Sequence, residues 1–334
     1  MPESVIGALL ASPEPSVRWK VRTQVLGEPA DAREIVALRE EIRRSPRARR
    51  LLAGHAPGGR PPPAYAKWRG AHWVLASLAD IGYPPGDREL HPLRDQVLDA
   101  WLKPRYFHDV EAGSEAAAYR GRGVPVVQGR HRRCGSQQGN ALWFLTTLGL
   151  ADGRTGDLAE RLMHWQWPDG GWNCDRNPRA DTSSFHETLL PMRGLAAHAA
   201  ATGDVAASAA ASAAARRAAE VFLTRRLLYR ASTGEPIDSS FARPAYPGYW
   251  HYDVLAGLKG MADLDLLGDA RCADALDVLE SLRLPDGWPA LRRHYRSSGD
   301  SLRDSVDWGG AGTRHANPWV TADALAVLHA AGRL

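Results

Sequence analysis

Apolar positions recur along most of the chain with the spacing of α-helices. Five nearly continuous apolar segments each end in a leucine, as buried helices do. They are 72–78, 142–148, 189–195, 252–258 and 322–328. The segments between them carry apolar residues on one face and charges on the other, which is typical of outer, amphipathic helices. These are 93–101, 158–165, 213–228 and 272–282. The pattern predicts an all-α fold.

The first fifty residues predict further helices of a different kind. Two short ones are expected at 4–10 and 16–26, followed by one charged helix over 32–50. We therefore expect residues 1–50 to form an N-terminal helical extension that packs on the main body, 51–334.

One turn motif follows the helical segment that ends near Gln166. Leu162, Gln166, Gly170 and Trp172 stand in the order L-x-x-x-Q-x-x-x-G-x-W. Glycines reach backbone angles that stop a helix. We expect Trp172 to cover the helix end and Gln166 to bond its free backbone groups. A second copy occupies 279–288, and a fainter one without the tryptophan lies at 51–59.

This motif resembles the QW repeat of the squalene-cyclase, terpenoid-cyclase and protein-prenyltransferase superfamily. The likeness is specific at 161–195 and 279–288 and loose elsewhere. It implies an α/α toroid of five QW-like repeats over 51–334, in which five outer helices surround five inner ones and a central cavity. The chain would be a divergent member of that superfamily.

Composition narrows the range of partners. The 42 basic residues nearly balance the 38 acidic ones, for a net charge of +4, and they are mostly scattered. Nucleic acid is therefore not a predicted partner. Three cysteines, Cys134, Cys174 and Cys272, argue against a disulfide framework. The N-terminus lacks a basic region before its short apolar run, and no apolar run is long enough for a transmembrane helix.

We accordingly expect a soluble, cytoplasmic protein that acts on a small molecule and needs no cofactor. A weak association with membranes or with apolar substrates stays open.

In a toroid, the N-terminal ends of the inner helices share one mouth of the cavity, where the helix dipoles favour ligands. Polar and aromatic residues at those ends are the candidate site residues. The candidate catalytic residues are His186, Glu187, His251 and Asp253. The candidate substrate-binding residues are Trp68, His72, Gln137, Gln138, Asn140, Tyr249, Trp250, Tyr252, Asn317, Trp319 and Asp323.

Resemblance to class II terpene cyclases gives His186 and Glu187 a specific role. In that class the turn is followed by Asp-x-Asp-Asp-Thr, whose middle carboxyl protonates the substrate. Here the segment reads Ser184-Phe185-His186-Glu187-Thr188, with His186 at the proton donor's place. A glutamate in a water-poor pocket can have a raised pKa and serve as a general acid. The leading hypothesis is acid–base conversion of an apolar, isoprenoid-type molecule.

Other functions on the same scaffold stay open. In protein prenyltransferases, Asp, Cys and His at these helix ends bind zinc, and Cys134, His186, Glu187, His251 and Asp253 are chemically suitable ligands. The pattern Asp-x-Cys is absent at those places, so no metal ligand is assigned. A metal-dependent transferase or hydrolase, a polysaccharide-lyase-like enzyme and a non-catalytic ligand-binding protein are the alternatives. The long loop 103–133 is either a lid over the site or a surface feature.

Overall fold

The structure, a computed structural model, describes residues 2–55, 59–295 and 306–334. These ranges contain fourteen α-helices and one small three-stranded sheet. The prediction of a mainly helical protein is confirmed. No helix within the described ranges is long and apolar enough to cross a membrane.

The chain forms two compact units. The first, unit 1, combines Met1–Asp87 with Arg226–Leu334, and the second, unit 2, is Arg88–Arg225. The N-terminal helices belong to the same unit as the last three helices. The predicted boundary at residue 50 stays a prediction. The closed ring stays a prediction.

Unit 1 contains eight α-helices within its described residues and a π-helical segment, Val21–Val25, that continues α2. The helices are α1 (Pro2–Leu10), α2 (Pro15–Lys20), α3 (Arg33–Arg44), α4 (Pro46–Leu52), α5 (Ala71–Asp80), α12 (Val254–Ala262), α13 (Ala273–Ser281) and α14 (Pro318–Ala330). The apolar α14 packs against α2, the π-helical segment and α12. The predicted inner helices at 72–78, 252–258 and 322–328 are thus α5, α12 and α14.

Unit 2 contains six α-helices: α6 (His91–Trp101), α7 (Glu115–Arg120), α8 (Gly135–Thr147), α9 (Gly153–His164), α10 (Phe185–Ala201) and α11 (Val205–Leu223). The predicted inner helices at 142–148 and 189–195 are α8 and α10. These two pack closely because Gly139 faces the backbone of α10 at Pro191, and Gly194 faces the backbone of α8 at Gly139. A Cβ atom at Gly194 would lie 2.3 Å from the carbonyl oxygen of Gly139.

The segment 103–133 carries structure that the helical pattern did not predict. It holds three strands, β1 (Asp109–Glu111), β2 (Val124–Val127) and β3 (Arg130–His131). β1 pairs parallel with β2, and β2 pairs antiparallel with β3. β2 is rich in valine, whose branched Cβ favours extended backbone. The predicted loop is therefore partly a small sheet.

The prediction of one continuous helix over 32–50 is wrong. α3 ends at Arg44 and α4 begins at Pro46, with Ser45 in extended backbone between them. The proline disfavours helical angles at the residue before it. Ser45 then caps the second helix, since its side chain accepts a hydrogen bond from the Ala48 amide.

The two clearest copies of the turn motif have the same geometry. The Trp172 indole donates to the carbonyl oxygen of Leu162 at 2.9 Å, and the Trp288 indole donates to that of Leu279 at 2.8 Å. Each tryptophan therefore satisfies a carbonyl near the end of the preceding helix, as expected for Trp172.

The hydrogen bonds of Gln166 differ from the predicted ones. Its amide nitrogen donates to the carbonyl oxygens of Gly170 and Ala214 instead of those at the end of α9. It thereby joins the turn to α11. The carbonyl oxygen of Leu162, near the end of α9, accepts from the Trp172 indole instead.

Candidate metal centre

Cys134, Cys174 and Glu187 meet in unit 2. One ligand atom from each, two sulfurs and a carboxylate oxygen, lies within 4.8 Å of the others. The Cys174 thiol donates to Glu187 Oε1 at 3.3 Å. Both cysteines are half-buried and Glu187 is buried. We call these three residues the thiol cluster.

The packing of α8 on α10 positions two members of the thiol cluster. Cys134 is the N-cap residue of α8, and Glu187 lies in the first turn of α10. Glu187 Oε2 accepts a hydrogen bond of 3.0 Å from the Ser136 amide, in the first turn of α8. Free N–H groups and the dipoles at both helix starts favour negative charge here.

A short extended segment after the turn motif positions Cys174. Asn173 forms a parallel β-bridge with Arg132, which brings Cys174 beside the residues that lead into α8. The next residues fold into successive side-chain turns: Asn173 Oδ1 accepts from the Asp175 amide, and Asp175 Oδ1 accepts from the Asn177 amide.

Arg132 fixes this segment from inside the protein. Its side chain is buried, and its guanidinium donates to the carbonyl oxygens of Asp175 and Ala180. Burial lowers the pKa of Arg132. The sequence pattern did not predict this role, because nothing in it distinguishes the buried Arg132 from the half-buried Arg130 and Arg133.

The two thiols influence each other's protonation. The adjacent Cys174 thiol holds the pKa of the Cys134 thiol below its ordinary value. The contact between the two thiols, burial and the Glu187 charge raise the pKa of Cys174. Cys134 is thus the member of the pair that carries a negative charge more readily.

The spacing of the thiol cluster suits a tetrahedral cation. A zinc ion bonds sulfur at about 2.3 Å and carboxylate oxygen at about 2.1 Å, so those two ligand atoms lie about 3.6 Å apart. Cys174 Sγ and Glu187 Oε1 are 3.3 Å apart. Three protein ligands would leave a fourth position for a substrate, which is the arrangement of catalytic zinc sites.

The four predicted catalytic residues are divided between the units. His186, half-buried, and Glu187 lie in unit 2, whereas His251 and Asp253 lie in unit 1. The Asp253 carboxylate caps α12 and accepts from the amides of Ala256 and Ala245. Burial raises its pKa to about 6. The His251 ring stacks on that of His294 at 3.4 Å between centroids.

Several of the predicted substrate-binding aromatic residues pack on one another in unit 1. The Trp68 ring stacks on Tyr249 at 3.8 Å, and its indole donates to the carbonyl oxygen of His294. Trp250 stacks on His251. Only 4% of Trp68 is exposed, so neighbouring rings already cover most of its surface.

Two further predicted binding residues are deeply buried in unit 1. Tyr252 donates its hydroxyl to the carbonyl oxygen of Leu227. His72 is fully buried, and burial lowers its pKa to about 3. Its imidazole is therefore neutral at physiological pH.

At α14, the predicted residues Asn317, Trp319 and Asp323 have clear structural contacts. Asn317 Oδ1 accepts from the amides of the first turn, and the Trp319 indole donates to Ser16 Oγ. Asp323 pairs with Lys20 at 2.8 Å.

The remaining predicted residues, Gln137, Gln138 and Asn140, lie in the first half of α8, just after Cys134. Gln137 Oε1 accepts from the Arg133 guanidinium at 2.7 Å. The amide of Gln138 is placed to donate to the Cys134 carbonyl oxygen at 3.1 Å. Of the predicted substrate-binding residues, these three stand closest in sequence to a member of the thiol cluster, three to six positions after Cys134.

Sequence reasoning missed Cys174 as a site residue, although it stands two positions after Trp172 in the most distinctive stretch. That proximity was the available signal. Comparisons with known protein families, with curated proteins and with solved structures give no match for this chain.

Proposed function

We propose that the chain is a zinc-dependent transferase whose metal is held by Cys134, Cys174 and Glu187. The observation that carries this proposal is the convergence of two thiols and a carboxylate, with ligand atoms within 4.8 Å of one another. Thiolates are soft ligands that select zinc over magnesium or calcium.

Charge favours a cation at this place. With both thiols and the carboxyl ionised, the thiol cluster carries three negative charges in a half-buried position, and a divalent ion would offset most of their repulsion. The first turns of α8 and α10 contribute partial positive charge, and the Arg133 guanidinium adds one formal positive charge beside Cys134.

The ligand set indicates the class of reaction. Three anionic ligands leave little positive charge on a bound zinc, which suits holding a substrate thiol as a reactive thiolate better than it suits ionising water. The substrate thiol gives its proton to solvent. Its sulfur then forms a bond to carbon of an alkyl donor, whose leaving group departs with its electron pair.

The hydrogen bonds of Glu187 favour this role over that of a proton donor. Its two oxygens accept from the Cys174 thiol and from the Ser136 amide, so both are used as acceptors. A ligand to a cation needs such an acceptor. Acid-initiated cyclisation of an isoprenoid, the hypothesis from resemblance, stays a prediction that requires turnover data.

The test is metal binding by variants of the full chain. We expect tag-free protein to bind cobalt(II) with an intense thiolate-to-metal absorption band, and Cys134→Ser/Cys174→Ser protein to show none. Cys272→Ala is the matched control, since Cys272 lies buried in unit 1, and it should keep the band.

A small alkyl thiol then tests the transferase class. Its addition should strengthen the thiolate band if the fourth position accepts sulfur. An unchanged spectrum would contradict thiol activation while leaving the metal site in place. Absence of the band in the wild-type protein would overturn the zinc site itself.

A further inference from the structure

A second cluster of metal-ligating side chains lies elsewhere in unit 2. It consists of Asp109 in β1, His131 in β3 and His164 at the end of α9. Asp109 Oδ2 lies 3.1 Å from His131 Nε2 and 2.7 Å from His164 Nε2. The two imidazole centroids are 4.5 Å apart.

We propose that Asp109, His131 and His164 form a second zinc-type site that ties the small sheet to α9. The site is separate from the thiol cluster and shares no residue with it. Its ligands are two imidazoles and one carboxylate, a set that binds zinc and related divalent transition metals.

The distances suit such an ion. Zinc bonds imidazole nitrogen and carboxylate oxygen at about 2.0–2.1 Å, which places tetrahedral ligand atoms about 3.3 Å apart. The observed separations are 3.1 Å for His131 and 2.7 Å for His164, so the first is close to this spacing and the second needs to open by about 0.6 Å. Two neutral imidazoles and one carboxylate carry one negative charge, so they offset half the charge of a bound divalent ion.

The backbone around His131 holds its ring in place. Val126 pairs with His131 in the sheet, and the carbonyl oxygen of His131 accepts from the Trp167 indole at 2.8 Å. The neighbouring Arg132 directs its guanidinium to the carbonyl oxygens of Asp175 and Ala180. The Arg132 guanidinium is therefore engaged by carbonyl oxygens of the segment 175–180.

The site is accessible to solvent. The side chains of Asp109, His131 and His164 are 36%, 16% and 42% exposed. A metal ion can therefore enter without unfolding, and water or an incoming ligand can fill the remaining position. Because β1, β3 and α9 each supply one ligand, bound metal would restrain the sheet relative to the helix.

The test measures zinc binding by the Cys134→Ser/Cys174→Ser variant, in which the thiol cluster has lost both of its sulfur ligands. We expect about one zinc per chain after dialysis, and a loss of affinity of more than about tenfold on adding His164→Ala. His329→Ala, an exposed histidine of α14, is the matched control and should leave binding unchanged.

Two further measurements keep the proposal testable if the cysteine background folds poorly. In wild-type protein, cobalt(II) bound here gives only weak visible bands, because sulfur is absent from the ligand set; His164→Ala should remove these bands and leave the thiolate band. Zinc should also slow backbone hydrogen exchange in 109–111 and 130–131. Equal zinc binding by His164→Ala and its parent would overturn this site and leave the thiol cluster untouched.

Discussion

Glu187 Oε2 accepts a hydrogen bond of 3.0 Å from the backbone amide of Ser136. This bond joins the first turns of α10 and α8, the two most closely packed helices of unit 2. Helix starts carry N–H groups without partners inside their own helix. Glu187 satisfies one of them and at the same time faces Cys174, so one carboxylate links the helix packing to the thiol cluster.

Glu187→Gln should weaken zinc binding by more than about tenfold, because a neutral amide replaces a negatively charged ligand. The amide oxygen can still accept from Ser136, so the fold should persist. Titration against a chelating dye measures the affinity. Glu160→Gln, at an exposed position of α9, is the control, and equal affinities of all three proteins would count against Glu187 as a ligand.

Gly139→Ala should lower the free energy of unfolding by about 1–3 kcal/mol or more, the range of overpacked cores. The new Cβ would lie 2.3 Å from the backbone nitrogen of Pro191, which cannot move like a side chain. Gly156→Ala in α9 meets nothing within 4 Å and should stabilise the helix by about 0.5–1 kcal/mol. Chemical denaturation should show a lower free energy of unfolding for Gly139→Ala and a higher one for Gly156→Ala. The same sign of change in both variants would contradict the close packing of α8 on α10.

Lys20→Met should lower the free energy of unfolding by about 3 kcal/mol, the usual cost of breaking a buried ion pair. Lys20 is 1% exposed and lies 2.8 Å from Asp323 and 3.2 Å from Asp80. The variant leaves Lys259 to offset both carboxylates. Lys103→Met, at an exposed position, is the control in the same denaturation experiment. A similarly small change in the free energy of unfolding for both variants would show that the pair of Lys20 with Asp323 does not stabilise the fold.

Asp253 should make stability depend on pH in an unusual direction. Burial raises its pKa to about 6, so the folded protein holds this proton more tightly than the unfolded chain does. Its contribution is fully present below about pH 4 and is lost as the pH rises through 6, by up to about 3 kcal/mol.

The unfolding free energy of the wild type minus that of Asp253→Asn should therefore decrease between pH 4 and pH 6. Asp157→Asn, at an exposed position of α9, serves as the control and should show a flat difference. A difference that rises with pH for Asp253→Asn would mean that the carboxylate is stabilised as an anion instead.

The sequence by itself determined the helices. The apolar runs at 72–78, 142–148, 189–195, 252–258 and 322–328 lie in helices, with at most two residues outside the helix at either end, because helical periodicity is a local property of the sequence. The prediction of one helix over 32–50 was wrong at Ser45, because Pro46 disfavours helical backbone angles at the residue before it.

Only the tertiary structure decided which chemical groups meet. Cys174 joins Cys134 because Asn173 pairs with Arg132, a contact between segments about 40 residues apart that no local pattern encodes. The aromatic residues that the sequence offered for a ligand, such as Trp68 and Tyr249, stack on each other. Residue type indicates what a side chain is able to do, whereas long-range packing fixes its neighbours, and the neighbours determine its chemistry.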